Sequence, residues 1–166
     1  MNKFLIGMVA IIMLLSTAFM GCIDRNGDGK ANMVLEPSDN TTSIGALVYV
    51  MVYMEPEGKV SGAQFSMTYN KDIFSCNGVL IWDGVYGGGY YHFDPDIDNS
   101  NGRIEGFALC TLGEDVLFDN DTMIAIVIFS AIQTGVGEFE LYDVVVGDSN
   151  GKEVPVKTTV TQIEVI

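Results

Sequence analysis

The sequence from Val60 to Phe74 reads VSGAQFSMTYNKDIF and alternates apolar with polar side chains before a polar turn. The apolar side chains occupy every second position, at Ala63, Phe65, Met67 and Tyr69. The positions between them are polar, namely Gln64, Ser66 and Thr68. Because successive side chains of a strand point to opposite faces, this period of two predicts a strand packed on one face and open on the other.

Strand-like runs recur along the rest of the chain, and no long apolar pattern of helical period follows residue 22. The predicted strands are Met33–Leu35, Ile44–Met54, Val60–Tyr69, Phe74–Ile81, Arg103–Leu112, Met123–Ile132, Glu138–Val146 and Val154–Val165. Asn-Gly pairs at 77–78, 101–102 and 150–151 lie within or between these runs and are typical of hairpin turns. Many short strands with such turns predict an all-β sandwich or barrel.

The run from Met123 to Ile132 is apolar at nearly every position. Strands that are covered on both faces have this composition, whereas strands with one wet face alternate. The run is therefore predicted to form a central strand of the domain.

Three segments resemble the cohesin family, and they occur in the family's order. Ala63 to Phe74 resembles the third strand and turn of cohesins, Met123 to Ala131 resembles a buried strand, and Asp148 to Val156 (DSNGKEVPV) resembles the hairpin before the last strand. The matching text extends from about Met33 to Ile166. The resemblance implies an antiparallel β-sandwich with a jelly-roll arrangement of about nine strands, in a single domain over residues 33–166.

Cohesins bind dockerin modules through the flat face of one sheet. The resemblance implies that the corresponding residues of this chain contact a partner: Gly62, Gln64, Ser66, Thr68, Gly106, Ala108 and Thr111. Short side chains there would let a helix approach the sheet closely. Cohesins often carry Asp or Asn at the positions of Gly62 and Gln64, so the identity of the dockerin does not transfer. Glu105 falls on the nominally inward side, which indicates a sheet edge or a slip in register.

The implied function is that of a non-catalytic receptor for dockerin-bearing proteins, such as secreted polysaccharide-degrading enzymes. No cofactor is required for this role. Calcium, if it takes part, is expected mainly in the partner's own binding loops. Complex formation is therefore expected to depend on calcium.

The N-terminus has the features of an export signal. Lys3 precedes an apolar run from Phe4 to Phe19, and Gly21 precedes Cys22. This pattern predicts a lipoprotein signal over residues 1–21, lipid on Cys22 and an acidic tether over residues 22–32. Alternatively the run stays uncut as a membrane anchor, since it approaches the ~20 residues of a spanning helix. Both interpretations place the domain outside the cytoplasm at a membrane.

The formal net charge of −14, from 22 acidic and 8 basic side chains, argues against a nucleic-acid partner because phosphate backbones would be repelled. Two cysteines follow Cys22, namely Cys76 and Cys110. Outside the cytoplasm they could pair, or they could be two small buried apolar residues. The sequence leaves both possibilities open.

Two acidic segments have oxygen ligands at alternate positions, as calcium loops do. The first segment contains Asp24, Asn26 and Asp28, and the second contains Asp94, Asp96 and Asp98. The first resembles the opening of a dockerin repeat, but Leu35 stands where a bidentate carboxylate is needed. Each segment is therefore either ordinary surface acidity or a calcium site.

Residues 81–102 are predicted to form a long insertion rather than core. Aromatic residues within it suggest carbohydrate stacking as an alternative function, with Trp82, Tyr86, Tyr90 and Tyr91 as contacts. These rings could equally fold over the core or rim a protein interface. His92 is the only histidine, and no serine or cysteine has a nucleophile motif, so an enzyme is not predicted.

Overall fold

The computed structural model describes residues 30–81, 90–111, 118 and 120–166. Within these ranges the chain forms thirteen strands and no helix. It follows that no helix of the described residues is long and apolar enough to cross a bilayer. The strands are β1 (Ala31–Pro37), β2 (Thr41–Thr42), β3 (Leu47–Pro56), β4 (Val60–Tyr69), β5 (Phe74–Ile81), β6 (Tyr90–Phe93), β7 (Asp96–Asp98), β8 (Arg103–Thr111), β9 (Thr122–Ala131), β10 (Gly135–Asp148), β11 (Glu153–Val154), β12 (Val156–Thr158) and β13 (Val160–Val165).

The strands form two sheets. The first sheet has the order β12-β1-β3-β9-β5, and the second has the order β2-β13-β10-β4-β8-β6, with β11 paired to β10 and β7 paired to β8. Two pairs are parallel, β1 with β12 and β13 with β2, and the others are antiparallel. The predicted all-β jelly-roll sandwich is confirmed, although it has thirteen strands rather than nine and its sheets are mixed.

Inward-facing side chains of both sheets form one core. The alternation in β4 is observed as predicted, because Phe65 and Met67 are fully buried whereas Gln64 between them is exposed. The Phe65 ring stacks on Phe107 of β8 with 4.5 Å between ring centroids. Across the sandwich a cluster of rings joins the two sheets, and its members are Tyr69, Phe74, Phe129 and Phe139. Burial of this apolar surface is the main force that holds the sheets together.

Asn99, in the turn between β7 and β8, links the two sheets. Its side-chain Oδ1 accepts hydrogen bonds from the Cys76 backbone N–H at 2.7 Å and from the Tyr69 hydroxyl at 2.6 Å. Its Nδ2 donates to the Cys76 carbonyl at 3.0 Å. The carboxamide therefore pairs with both backbone groups of Cys76 on the free edge of β5, as a neighbouring strand would.

The C-terminal segment corrects one prediction. Residues 154–165 were expected to form a single strand, but the chain changes sheets twice here. β11 pairs with β10, β12 crosses to pair with β1, and β13 returns to β10. Pro155 separates the first two strands, and a proline has no N–H with which to continue a ladder.

The expected insertion over residues 81–102 is also corrected in part. Tyr90–Phe93 and Asp96–Asp98 are strands that pair side by side with β8, so this part of the segment extends the second sheet. Residues 82–89 lie outside the described residues. At the N-terminal boundary, β1 begins at Ala31, two residues before the predicted start of the sandwich. The predicted signal, the lipid site at Cys22 and most of the tether lie outside the described residues.

β9 has a neighbour on each side, β3 and β5, as its composition predicted. Only its inward face is fully buried, however. Ile126 and Ile128 point away from the core and are half-buried. The near-continuous apolar sequence of β9 therefore covers the core on one face and leaves an apolar surface on the other.

Candidate functional site

Six small or uncharged residues form a lane across the outer face of the second sheet. The register places Gly147, Gly62 and Cys110 in one row, across β10, β4 and β8. Val145, Gln64 and Ala108 form the next row. We call these two rows the small-residue lane. Gln64 and Cys110 are exposed and Ala108 is half-buried, so the lane lies open on the side of the sandwich away from the core.

Gly62 is required by close packing within the lane. A Cβ atom at this position would lie 2.5 Å from the carbonyl oxygen of Leu109 and 3.0 Å from the Cβ of Cys110. Real Cβ atoms do not approach a backbone oxygen so closely, so any side chain would push β4 and β8 apart. The absence of a side chain at residue 62 therefore keeps the lane flat.

A β-bulge in β8 explains the anomalous position of Glu105. The two steps from Phe65 to Met67 in β4 are opposed by three steps in β8, from Phe107 to Ile104. Gly106 has a φ of +79°, and its N–H donates a hydrogen bond to Ser66 Oγ at 3.2 Å. The extra residue turns Glu105 to the exposed side. The register slip that the sequence indicated is therefore real.

The other predicted contact residues are arranged less simply. Ser66 belongs to the outer face but is only 6% exposed, so it supports the bulge rather than offering a free hydroxyl. Thr68 is half-buried and lies beside Arg103 at the far end of β4. Thr111 donates its hydroxyl to the Ser61 carbonyl at 3.1 Å, and the outward residue at this end of β8 is Cys110. Continuing the alternation from Ala108 would have identified Cys110.

Neighbouring strands add side chains that the sequence interpretation did not assign to this face. On β6, Tyr91 pairs with Cys110 and Phe93 pairs with Ala108, and these rings are 61% and 64% exposed. On β10, Val145 and Gly147 complete the lane. The residues of β10 were missed because only β4 and β8 were assigned to this face, and a second bulge, at Asp143 with a φ of +49°, interrupts the alternation in β10.

The opposite end of the face is acidic. Glu138 and Glu140 lie on the exposed side of β10, and Glu140 pairs with Thr68. Glu105 accepts a hydrogen bond from the Tyr142 hydroxyl at 3.2 Å and lies 3.6 Å from Arg103. Partial burial and the Glu105 carboxylate raise the pKa of Tyr142, so its phenol keeps its proton. The face therefore carries carboxylates at one end and uncharged, partly aromatic residues at the other.

The two cysteines are not paired. Cys76 is buried in the first sheet, whereas Cys110 is exposed on the outer face of the second sheet. Burial raises the pKa of the Cys76 thiol to about 11, so it is un-ionised and inert at neutral pH. Of the two possibilities that the sequence left open, a small buried residue describes Cys76, and neither possibility describes Cys110.

The aspartates of the second acidic segment are spread out rather than grouped around one point. Among the described residues, no three His, Cys, Asp or Glu side chains are grouped to hold a metal ion. The Asp98 carboxylate instead accepts hydrogen bonds from Asn101 Nδ2 at 2.6 Å and from the Ser100 N–H at 3.0 Å, which lowers its pKa. Asp94 and Asp96 are exposed. The calcium hypothesis for these aspartates gains no support here, and the segment with Asp24, Asn26 and Asp28 lies outside the described residues.

Of the four aromatic residues predicted to contact carbohydrate, the structure describes Tyr90 and Tyr91, which lie on opposite faces of β6. Tyr90 is half-buried and packs against the core, whereas Tyr91 projects from the outer face. Trp82 and Tyr86 lie outside the described residues. Tyr91 is therefore part of the surface beside the small-residue lane.

Comparison with known proteins bears on the fold. No family model matches the sequence, and no curated protein matches it significantly. A type II cohesin from Acetivibrio cellulolyticus matches the structure with a TM-score of 0.67 at 14% identity, covering 81% of this chain and 95% of that chain. A non-cellulosomal cohesin from Archaeoglobus fulgidus matches with a TM-score of 0.66 at 15% identity, covering 82% and 91%.

A third match is a mutant type II cohesin–X–dockerin complex from Acetivibrio cellulolyticus, with a TM-score of 0.68 at 12% identity. It covers 82% of this chain and 99% of the matched chain. The cohesin resemblance predicted from the sequence motifs is thus confirmed at the level of the fold. The chain has the cohesin fold.

Proposed function

We propose that this chain is a non-catalytic receptor that captures dockerin-bearing proteins on the outer face of its second sheet. The observation that carries the proposal is the small-residue lane, an open, flat surface of short side chains on a cohesin fold. One structure with this fold is described as a cohesin–X–dockerin complex. Short side chains let a partner helix approach the sheet, and exposed Gln64 supplies a directional hydrogen-bonding group.

The uneven distribution of charge suggests which partner helix fits. The lane and its neighbours Tyr91 and Phe93 carry no charge, so this end favours small and apolar residues on the partner. The end with Glu138, Glu140 and Glu105 favours lysine or arginine. We therefore infer that the partner presents a helix with basic residues at one end of its contact surface.

The location of the receptor is part of the same proposal. Lipid on Cys22, or an uncut anchor over residues 4–19, would hold the domain at the outer face of the cell membrane. Captured proteins, for example polysaccharide-degrading enzymes, would then be kept at that surface. Calcium would act through the partner's loops.

A pull-down with dockerin-bearing proteins of the same organism tests the proposal. The wild-type chain should retain such a protein in calcium and lose it in a chelator. Ala108→Arg should abolish capture, because a long charged side chain would occupy the centre of the lane. Ala46→Arg, at a half-buried alanine outside the sheets, is the matched control and should capture as the wild type does. Capture that survives both Ala108→Arg and chelation would contradict the proposal.

A different measurement distinguishes carbohydrate binding from the capture of dockerin-bearing proteins. Tyr91 lies in the same row as Cys110, so its substitution could affect either ligand. Retention of the chain on polysaccharide in the absence of any other protein, and its loss in Tyr91→Ala, would favour the carbohydrate alternative. The receptor hypothesis predicts no such retention.

A further inference from the structure

The first sheet presents an apolar outer surface on the opposite side of the sandwich. Six side chains of β3, β5 and β9 form this surface, which we call the apolar face: Leu47, Tyr49, Met51, Leu80, Ile126 and Ile128. The register places Leu80, Ile126 and Met51 in one row, and Gly78, Ile128 and Tyr49 in the next. Leu47 and Leu80 are 54% and 55% exposed. Contiguous exposed apolar surface of this kind marks interaction sites.

The absence of charge restricts what can cover the apolar face. β5 and β9 contain no Asp, Glu, Lys or Arg at any position, although the whole chain has a net charge of −14. By contrast, β10 in the second sheet carries four acidic residues. Two copies of the chain would repel each other at most approaches. Exposed Glu36 of β1 pairs with Met51 at the edge of the apolar face, so a contact centred on β9 and β5 keeps this carboxylate at the rim.

The shape of the face suits a second copy. Gly78 leaves open space above the sheet, since an added Cβ would meet no atom within 4 Å. Exposed Leu80 lies two residues further along β5, and exposed Leu47 lies two strands away on β3. A surface with both a projection and a hollow can match itself across a two-fold axis, as an isologous interface requires.

We propose that two copies of the chain associate through their apolar faces. The three strands β3, β9 and β5, about 4.8 Å apart and paired over roughly seven residues, span roughly 330 Å² per copy. This is below the usual size of a specific interface, so the dimer should be weak and depend on concentration. Both small-residue lanes would point outward, which would make the pair bivalent. The dimer itself does not rest on the proposed receptor function.

Sedimentation analysis of the full chain tests the dimer. The wild type should change from monomer to dimer as its concentration rises towards about 100 µM, a range expected for an interface of this size. Leu47→Glu combined with Leu80→Glu should raise the dissociation constant at least tenfold, since four carboxylates would meet at the interface. The matched control, Val136→Glu with Val160→Glu, changes two similarly exposed valines on the second sheet and should leave association unchanged.

Cross-linking distinguishes a dimer formed through the apolar faces from association through the apolar N-terminus. A photo-reactive p-benzoylphenylalanine in place of Leu47 should cross-link to β5 or β9 of the other copy, as mapped by mass spectrometry. Cross-links to residues 1–29 or to the second sheet would overturn the proposal. So would equal association of the Leu47→Glu/Leu80→Glu variant and the wild type. Monomeric protein that binds phosphatidylcholine vesicles only when Leu47 and Leu80 are intact would assign the apolar face to lipid instead.

Discussion

At the scale of single residues, Asp148 shows how one carboxylate determines a local structure. It is 6% exposed and ends β10, and its Oδ1 accepts hydrogen bonds from the backbone N–H groups of Asn150 at 2.8 Å and Lys152 at 2.9 Å. Burial would raise the pKa of Asp148, but these hydrogen bonds outweigh burial, and the pKa is lowered. The Asp-x-Asn-Gly motif therefore encodes a turn, with Gly151 at a φ of +74°.

The lowered pKa of Asp148 predicts a pH-dependent contribution to stability. The contribution is fully present above the unfolded-state pKa of about 4 and is lost as the pH falls through the lower folded-state pKa. Asp148→Asn should therefore lower the urea midpoint at pH 7 and have a smaller effect at about pH 2, because the stabilising contribution is lost as the wild-type carboxyl takes up a proton. Asp39→Asn, at an exposed position outside any strand, should shift the midpoint at neither pH. An Asp148→Asn defect of equal size at both values would contradict the charge-based explanation.

At the scale of elements, the β-bulges set the limits of prediction from the sequence. The alternation in β4 predicted its bounds and its buried face, because one side chain in two faces the core throughout. β8 and β10 each insert extra residues, at Gly106 and Asp143, so the simple alternation assigns some of their side chains to the wrong face. Val145 and Gly147 were missed because only β4 and β8 were assigned to this face. Cys110 was missed because Thr111 was taken as the outward residue, although the alternation from Ala108 leads to Cys110.

The conformation of Gly106 gives a test at this scale. Nothing lies within 4 Å of a Cβ added there, so Gly106→Ala tests the φ of +79° rather than a collision. We expect the unfolding free energy to fall by about 1 kcal/mol, because residues with a Cβ disfavour the left-handed region. Gly78→Ala is the matched control, since its surroundings are equally open and its φ is not in that region. The unfolding free energy of Gly78→Ala, measured by urea denaturation of dilute protein, should be unchanged or slightly raised. Equal losses in both variants would contradict the argument.

At the scale of the whole molecule, the sequence predicted the fold class better than it predicted the connectivity of the strands. Turn residues and strand-like runs sufficed for an all-β sandwich, and the family motifs sufficed for the cohesin fold. The pattern did not predict that the last segment changes sheets at Pro155, because β11 and β12 have only two and three residues, too few for an alternation that would assign each to a sheet. Nor did a net charge of −14 reveal that β5 and β9 carry none of it.

The segregated charge leads to a prediction about partner capture. Added salt should weaken capture mainly by slowing association, since exposed charges are screened within about 10 Å at 0.1 M salt. Glu138→Gln with Glu140→Gln should reduce both the association rate and its dependence on salt, as measured by surface plasmon resonance. Glu36→Gln with Glu57→Gln makes the same change in net charge at exposed positions away from the lane and should have a much smaller effect. Equal effects of the two pairs would mean that only the overall charge matters.

The Asn99 carboxamide has a consequence for how this protein behaves when crowded. An unpaired strand at the margin of a sheet can recruit a strand from another chain, and repetition of that step produces fibrils. At Cys76 the edge of β5 is already paired, because the backbone N–H and carbonyl of this residue are both hydrogen-bonded to Asn99. Lateral growth of the sheet is thereby blocked at that residue, which favours discrete particles over open-ended polymers.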